Sequence, residues 1–195
     1  MIKRYSGDKT KYLLANSLRA LMKSKPFDKI KINDIVENCG MNRQTFYYHF
    51  QDMYALLEWL YYTDCILEIE KQYSDSGITD AASCLINYVD EHRDELANIL
   101  SSKASDFFLD YVQKMLNDFV GVLIEDRRKG MRMTVDFRDF LSKFFTNAII
   151  GMLTERVRNT PSHNLSVEEN LTLFNCVFDG VLVTALKNYA ELSKM

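Results

Sequence analysis

The sequence is poor in the two residues that most often interrupt regular structure, with 7 glycines and 2 prolines among 195 residues. Folds built from many short strands need frequent turns of this composition, so the scarcity disfavours a sheet-based architecture. Apolar residues instead recur three and four positions apart over long stretches, which is the spacing of one helix face. The sequence therefore predicts an all-α fold of about nine helices, and its 47% hydrophobic content suffices for a buried core.

Signals for metal binding and catalysis are also missing. No Gly-rich phosphate loop occurs, and the three histidines stand in no motif with a serine, cysteine or metal-binding partner. We interpret acidic pairs such as Asp94 and Glu95 as solvated helix faces. The four cysteines are Cys39, Cys65, Cys84 and Cys176. They lack CxxC or Cys/His spacing, which favours buried reduced thiols. The alternative is that one of them senses redox state. The sequence thus predicts no enzyme, no metal site and no cofactor.

Segments for export or membrane insertion are not evident either. No apolar run at the N-terminus resembles a signal peptide. No stretch of about 20 residues looks apolar enough to cross a bilayer. We therefore expect a cytoplasmic protein without a membrane partner.

The net charge of −3 is distributed unevenly. Residues 1–52 carry ten Lys/Arg and five Asp/Glu, a charge of +5, which leaves −8 for the other residues. A basic N-terminal part followed by an acidic remainder is typical of a protein whose basic part meets phosphates.

The most informative part of the basic region is residues 31–57, KINDIVENCGMNRQTFYYHFQDMYALL. Two short helical patterns flank a turn at Cys39 and Gly40, and glycine suits the left-handed conformation of such a turn. Asn42 is a good N-cap for the second pattern, which starts at Arg43. The layout is that of a helix-turn-helix, in which the second helix enters the major groove of DNA.

The second pattern carries side chains suited to DNA at both ends. Arginine pairs with guanine, glutamine pairs with adenine, and threonine contacts a thymine methyl or a phosphate; here these are Arg43, Gln44 and Thr45. Phenol and imidazole groups that can donate to phosphate oxygens follow them: Tyr47, Tyr48 and His49. Aromatic packing at a helix end is the alternative for these last three.

These residues match a known pattern: a Thr-x-x-x-Ile-Ala helix, a Gly turn, then Thr-Leu-Tyr-x-His-Phe and Lys-x-x-Leu. The matching segments here are Asp34-Ile35-Val36, Gly40, Thr45-Phe46-Tyr47-Tyr48-His49-Phe50 and Leu56. The stretch therefore resembles the DNA-binding domain of the TetR family of bacterial regulators. The resemblance implies base contacts from Arg43, Gln44 and Tyr47, and backbone contacts from Thr45, Tyr48 and His49. Asn42 and Lys31 complete the predicted DNA-binding set.

Two positions depart from the family pattern. Lys31 stands where the family commonly has a threonine cap, so Asn33 or Asp34 is expected to serve that helix end. Met53 stands where the family commonly has a lysine that contacts phosphate, which removes one expected backbone contact.

The resemblance implies two domains, a helix-turn-helix domain over residues 1–52 and a helical ligand-binding and dimerisation domain over residues 53–195. The family dimerises through its last two helices, so we expect a homodimer on a palindromic operator in double-stranded DNA. DNA affinity is expected to depend on a small-molecule or protein effector. The body also resembles the branch of the family associated with dihydroxyacetone kinase operons.

The fourth predicted helix spans about Met53 to Tyr73 and is followed by a turn at residues 74–80. Predicted helices four to seven carry candidates for an effector pocket. These are Trp59, Tyr62, Cys65, Cys84, Tyr88, Phe107, Phe108 and Tyr111. Ordinary core packing is the alternative for this set. For the whole chain, the alternative is a helical protein-interaction module that has lost sequence-specific DNA binding, supported by Met53. Whether the output is repression or activation is open at this level.

Overall fold

The computed structural model describes residues 9–128, 130–159 and 165–192. Within these ranges all regular structure is helical, so the predicted all-α class is confirmed. The helices are α1 (Lys9–Met22), α2 (Ile32–Asn38), α3 (Arg43–His49), α4 (53–76), α5 (Ile78–Glu91), α6 (Arg93–Leu100), α7 (Ser105–Arg128), α8 (Val135–Arg158) and α9 (Val167–Leu192).

Helix α4 ends later than predicted. It is continuous through an α-helical segment, a wider π-helical turn and a second α-helical segment: Met53–Tyr61, Tyr62–Ile66 and Leu67–Ser76. The expected turn at residues 74–80 therefore narrows to Gly77, whose φ is 94°. The Gly77 N–H donates to the carbonyls of Gln72 and Tyr73 at 3.2 and 3.0 Å. Glycine ends the helix here because it adopts this left-handed conformation without strain.

The chain forms two compact units, and the first comprises the described residues up to Glu68 together with His92–Leu109. Its fully buried apolar side chains include residues of α1 to α4 and α6 and the connector residue Phe27: Leu14, Leu18, Phe27, Ile35, Phe46, Leu56 and Ile99. Helix α6 thus packs with the helix-turn-helix although it lies later in the chain. The two compact units do not coincide with the two predicted domains, which meet at residue 52. The predicted domains are functional units, and they stay a prediction.

A buried charged group lies within the first unit. Glu95 of α6 is only 5% exposed. Its carboxylate accepts hydrogen bonds from the Tyr61 hydroxyl at 2.7 Å and from Arg19 Nε at 2.9 Å. Arg19 also donates to Asp64 at 2.7 Å. The interpretation of Asp94 and Glu95 as a solvated face is therefore wrong for Glu95, because a charge buried to this degree needs such partners.

Asn98, one helical turn after Glu95, completes the hydrogen bonding at the end of α1. Its amide nitrogen donates to the carbonyls of Met22 and Lys25 at 2.8 and 2.9 Å, and its oxygen accepts from the Phe27 N–H at 2.8 Å. Helix ends leave backbone groups unpaired, and these bonds satisfy them. No local sequence pattern marks this role, because the partners are more than 70 residues apart.

The second unit comprises Ile69–Glu91 and the described residues from Asp110 onward. Its core is built from α7, α8 and α9: Val120, Leu123, Ile124, Leu141, Phe145, Phe178, Leu182 and Leu186. Other large apolar side chains of the last two helices are exposed, and we call them the apolar stripe: Phe140, Phe144, Met152, Leu173, Val177 and Val181. Phe140 and Phe144 of α8 are four residues apart, as are Leu173 and Val177 of α9, so the members of each pair are neighbours on one helix face.

One described helix, Val167–Glu191 within α9, is long and apolar enough to cross a membrane by length and composition, with a mean hydropathy of 1.2. The expectation that no stretch reaches this level is wrong by that measure. Core helices of soluble proteins pass the same test, so the finding is weak evidence for membrane insertion. Only 18% of the apolar 18-residue segment of this helix is buried within the chain, which is consistent with the exposed apolar stripe.

The four cysteines lie in unlike surroundings. Cys65 is buried, Cys39 and Cys84 are half-buried, and Cys176 is exposed. The expectation of buried thiols is therefore wrong for Cys176. Burial raises the pKa of the Cys39 thiol, which disfavours its reactive thiolate form.

Candidate nucleic-acid interface

Helix α2 supports the turn that precedes α3. Ile35 and Val36 are buried, and the Ser17 hydroxyl of α1 donates to the Ile35 carbonyl at 2.7 Å. Gly40 follows with a φ of 68°, and the Met41 N–H donates back to the Val36 carbonyl at 2.8 Å. The left-handed glycine and this bond end α2 and define the direction in which the chain enters α3.

Asp34 serves the start of α2, as one of the two predicted candidates. Its carboxylate accepts from the Lys31 backbone N–H at 2.8 Å and forms an ion pair with Lys25. The hydrogen bonds from Lys25 and from the Lys31 backbone hold the pKa of Asp34 below its usual value. The Lys31 side chain is exposed, and a lysine ammonium at this helix end is a suitable phosphate contact.

The first turn of α3 is capped by Asn42 as predicted. Its side-chain oxygen accepts from the Thr45 N–H at 2.8 Å and lies 3.1 Å from the Thr45 hydroxyl. Arg43 and Gln44 are both exposed beside this cap. One Arg43 guanidinium nitrogen lies 3.3 Å from the Tyr47 hydroxyl, which brings two of the predicted base-contacting side chains together.

The aromatic residues of α3 divide between the core and the surface. Phe46 and Phe50 are buried and pack against each other, with ring centroids 6.0 Å apart. Tyr47 and Tyr48 are 48% and 84% exposed, and the half-buried His49 meets the Tyr48 ring edge-on at 4.9 Å. The alternative of simple aromatic packing therefore applies to Phe46 and Phe50, whereas Tyr48 points a large ring into solvent.

The start of α4 carries a carboxylate and no cation. Asp52 accepts from the Ala55 N–H at 2.8 Å and caps the helix. Met53 is half-buried. A helix N-terminus attracts phosphate through its N–H groups, but the Asp52 charge opposes an anion there. The loss of one backbone contact that Met53 implies is therefore a real question for DNA affinity.

The predicted pocket residues fall in different places. Trp59, Tyr62, Cys65, Phe107 and Phe108 belong to the first unit, whereas Cys84, Tyr88 and Tyr111 belong to the second. Three of the aromatic rings are engaged in packing, among them Phe107, which contacts the Tyr54 ring at 4.8 Å. Trp59 contacts the rings of Tyr12 and Phe50 at 4.9 and 5.9 Å, and Phe108 contacts Tyr61 at 4.8 Å.

A cavity of about 260 Å³ lies inside the second unit, and none of the eight predicted pocket residues lines it. Aliphatic and phenylalanine side chains of α4, α5, α7, α8 and α9 form most of its wall, including Ile69, Ala82, Leu85, Phe119, Ile149 and Phe174. The sequence pattern that was missed is the pair of small residues Ala81 and Ala82 on an otherwise apolar helix face. Among the described residues, no group of three His, Cys, Asp or Glu side chains is arranged to hold a metal ion.

The described structure is helical, and its helix α3 is capped at the N-terminus and exposes an arginine, a glutamine and a tyrosine. These features fit the class of helix-turn-helix transcription regulators. Comparison with known proteins agrees with this class. The family described as bacterial regulatory proteins, tetR family, matches residues 16–60. The family described as transcriptional regulator C-terminal region matches residues 78–163. Together these matches cover about two thirds of the chain, and the chain belongs to the TetR family of transcriptional regulators.

Individual relatives resemble the chain over most of its length. The HTH-type dhaKLM operon transcriptional activator DhaS of Lactococcus lactis subsp. lactis (strain IL1403) is 24% identical over 151 residues, which cover 76% of this chain and 79% of that protein. A solved structure named dihydroxyacetone kinase operon activator DhaS superposes with a TM-score of 0.61 at 21% identity, covering 94% and 97% of the two chains. A TetR transcriptional regulator from Streptococcus agalactiae 2603V gives 0.63 at 23% identity, covering 88% and 94%. These structures show the same fold.

Proposed function

We propose that this chain is a homodimeric transcription regulator that binds a palindromic DNA operator and whose DNA affinity depends on an effector. The observation that carries the proposal is the surface of α3, where Arg43, Gln44 and Tyr47 are exposed while Phe46 is fully buried. Base contacts require side chains held in a fixed register, and the Asn42 cap with the buried phenylalanine provides it.

We assign two kinds of DNA contact to the predicted residues. Arg43, Gln44 and Tyr47 contact base edges, where bidentate side chains discriminate between base pairs. The remaining residues contact the sugar-phosphate backbone: Lys31, Asn42, Thr45, Tyr48 and His49. The bonding of Asn42 to Thr45 supports this division, because side chains engaged in a helix cap are poorly placed for base edges.

The dimer is proposed to form through α8 and α9. One short recognition helix contacts few base pairs, whereas two such helices spaced by one helical turn of DNA, about 34 Å, select a palindrome. The apolar stripe supports this assembly, because a patch of this kind normally marks an interaction surface. Gly151 and Gly180 on the same helices have no neighbouring atom within 4 Å of an added Cβ, which leaves room for another backbone.

A membrane would be a different occupant of the apolar stripe. Dimerisation is favoured because the family match includes a regulator C-terminal region and because α9 contributes Phe178, Leu182 and Leu186 to a protein core. Sedimentation of the detergent-free protein, with and without phospholipid vesicles, separates the two occupants. A dimer that ignores vesicles supports the proposal, and a chain recovered only with vesicles contradicts it.

The effector and the regulated genes are proposed from the relatives. The relative DhaS is named as an activator of a dihydroxyacetone kinase operon, and we propose that this chain likewise regulates an operon in the cytoplasm. A small molecule or a protein partner would shift the dimer between states of different DNA affinity, and by no more than its preference for one state. Transcription from the bound promoter should therefore be measured for both activation and repression.

The alternative function, a helical interaction module without sequence-specific DNA binding, is favoured by the α4 start, where Met53 stands in place of the lysine of the family pattern. Selecting genomic fragments of the source organism on the purified protein decides between them. Selective binding with a steep salt dependence is expected, because phosphate contacts release counterions. If no fragment is preferred at moderate salt, the regulator proposal is wrong and the interaction module is favoured.

A further inference from the structure

We propose that Lys103, in the loop between α6 and α7, contacts the sugar-phosphate backbone of DNA from outside the helix-turn-helix. This inference rests on the proposed function, because it adds a phosphate contact to the same DNA interface. Helices α4, α5 and α6 separate Lys103 from α3 along the chain. Its place beside the interface is therefore decided by tertiary contacts.

One side of the loop is attached to the segment that leads into α2. The Lys103 backbone N–H donates to the Asp28 carboxylate at 3.1 Å. Near the end of α6, the Asn98 side-chain oxygen accepts from the Phe27 N–H at 2.8 Å. Phe27 and Asp28 belong to the short helical turn that precedes Lys31, a proposed phosphate contact. The loop is thus fixed beside one edge of the proposed DNA interface.

The other side of the loop meets the start of α4. The ring of Phe107, in the first turn of α7, lies 4.8 Å from the ring of Tyr54, the second residue of α4. Helix α4 begins a few residues after His49, another proposed phosphate contact, and its Met53 and Asp52 offer no cation. Lys103 therefore brings a positive charge to a side of the interface that otherwise lacks one.

The loop backbone is held in place by internal bonds. The Ser102 hydroxyl donates to the Ile99 carbonyl at 2.7 Å and accepts from the Ala104 N–H at 3.1 Å. The Ala104 side chain is fully buried. A loop that is ordered before binding loses little conformational entropy on contact with a phosphate. The flexible four-carbon stem of a lysine then lets its ammonium group reach the phosphate.

The charge of Lys103 is not compensated by an ion pair. Its side chain is exposed, and within the part of the chain that the structure describes its ammonium group forms no salt bridge. Asp28 bonds to the backbone of Lys103, and the exposed Lys29 follows Asp28 directly. Asp106 lies in the first turn of α7, where a carboxylate complements the positive end of the helix dipole. A cation in this setting is suited to a phosphate of DNA.

DNA titration over a salt series tests the inference with the full chain and the variant Lys103→Gln. The slope of log K against log salt should become shallower by about 0.9 for each DNA-bound protomer, because each loses one phosphate contact. Operator and scrambled DNA should lose affinity alike, since a phosphate contact carries no sequence information. A slope equal to that of the unmodified protein would overturn the inference.

Two matched variants separate a direct contact from a general effect of charge. Lys103→Arg keeps the cation and should keep the slope of the unmodified protein. Lys114→Gln removes the same charge from an exposed site of α7 in the second unit and should change the slope much less. If Lys114→Gln and Lys103→Gln have equal effects, or if Lys103→Arg behaves like Lys103→Gln, Lys103 does not contact phosphate. The substituted side chain is exposed and the loop is held through its backbone, so these variants should fold.

The same measurements distinguish this inference from the proposed function. If the unmodified protein selects DNA with a steep salt dependence and Lys103→Gln keeps that slope, only the inference fails. If the unmodified protein binds no DNA fragment, the proposed function fails and the inference fails with it. A slope that becomes shallower in Lys103→Gln and stays unchanged in Lys103→Arg supports an interface that extends beyond the helix-turn-helix.

Discussion

The two compact units of this protein differ in how completely their side chains are engaged with the rest of the unit. In the first unit, polar side chains complete the interior, with Glu95 bonded to Tyr61 and Arg19, and Asn98 bonded to the end of α1. In the second unit, apolar side chains border open space at two places, the cavity beside Ala82 and the apolar stripe on α8 and α9.

This difference corresponds to two kinds of binding. A base-contacting helix has to be presented in one orientation, and hydrogen bonds with defined geometry specify orientation better than apolar contacts do. Apolar cavities and patches bind by excluding water and tolerate a range of partners. The first unit is therefore suited to the proposed DNA contacts, and the second to the proposed dimerisation and effector binding.

The largest effect is expected from a substitution that removes a buried polar group of the first unit. Glu95→Ala removes a buried carboxylate and leaves Arg19 and Tyr61 without it, so the free energy of unfolding should fall by about 3 kcal/mol. Denaturant unfolding followed by the fluorescence of Trp59, the single tryptophan, reports on this unit. Glu91→Ala, at an exposed site of α5, should change stability by less than about 0.5 kcal/mol. Similar effects of the two substitutions would contradict the role of Glu95.

The pH dependence of the free energy of unfolding tests whether the negative charge of Glu95 contributes to stability. Burial raises the pKa of Glu95, but the hydrogen bonds from His92, Tyr61 and Arg19 and the Arg19 charge outweigh it, so its pKa lies below the usual 4.5. Such a group stabilises the folded state above its unfolded pKa and loses that contribution as pH falls through its folded pKa. The stability difference between the protein and Glu95→Gln should therefore be largest near neutral pH and shrink below about pH 4.5. A difference that is constant with pH would show that the carboxylate charge is unimportant.

The second prediction breaks the apolar stripe of the second unit. Phe144 is 53% exposed, and a carboxylate at this position would be buried twice in a symmetric interface. Phe144→Glu should weaken dimerisation on the order of 100-fold, measured by sedimentation equilibrium. Val122→Glu makes the same kind of change on an exposed part of α7 and should leave the dimer intact. A dimer that tolerates Phe144→Glu would place the interface elsewhere.

The third prediction separates the two classes of DNA contact within the first unit. Arg43→Ala should cost about 1–3 kcal/mol on the preferred operator and relax selection at one base position. Tyr48→Phe should cost only about 0.5–1.5 kcal/mol and should affect all sequences alike, because it removes a hydroxyl donor to phosphate. Fluorescence anisotropy with operator and scrambled DNA measures both. Uniform weakening by Arg43→Ala would contradict its assignment to base contacts.

The smallest expected effect concerns the start of α4. Met53→Lys should strengthen binding to all DNA sequences and steepen the dependence of log K on log salt by about 0.9, the contribution of one phosphate contact. Met53→Gln adds a polar side chain without charge and should leave the slope unchanged. If the lysine variant behaves like the glutamine variant, phosphate does not approach this helix end.

Much of the fold was predictable because its signals are local. The helical periodicity, the Asn42 cap and the glycine turn each depend on residues within one or two helical turns, and the structure confirms the all-α class and the Asn42 cap. The end of α4 was placed too early, because Ser74 and Asp75 are turn formers by composition yet remain in the helix. The carbonyl bonds at Gly77 decide where it ends.

The candidate sites divide in the same way. The sequence places most of the proposed DNA-binding residues on one short helix and its N-cap, with Lys31 before α2, and their DNA contacts remain predictions. The residues that line the cavity were not predictable, because helical spacing identifies an apolar face but not what that face meets. Phe108 packs in the first unit, whereas Ala82 of α5 borders the cavity.

The amino-acid sequence by itself determined that this protein is helical, where its helix-turn-helix lies, and which side chains α3 exposes, since these follow from periodicity and capping over a few residues. Only the tertiary structure decided that Glu95 is buried, that α6 packs with the helix-turn-helix, and that an apolar cavity opens beside Ala82. The physical reason is that burial and cavities depend on contacts between residues far apart in the chain, and such contacts have no local pattern.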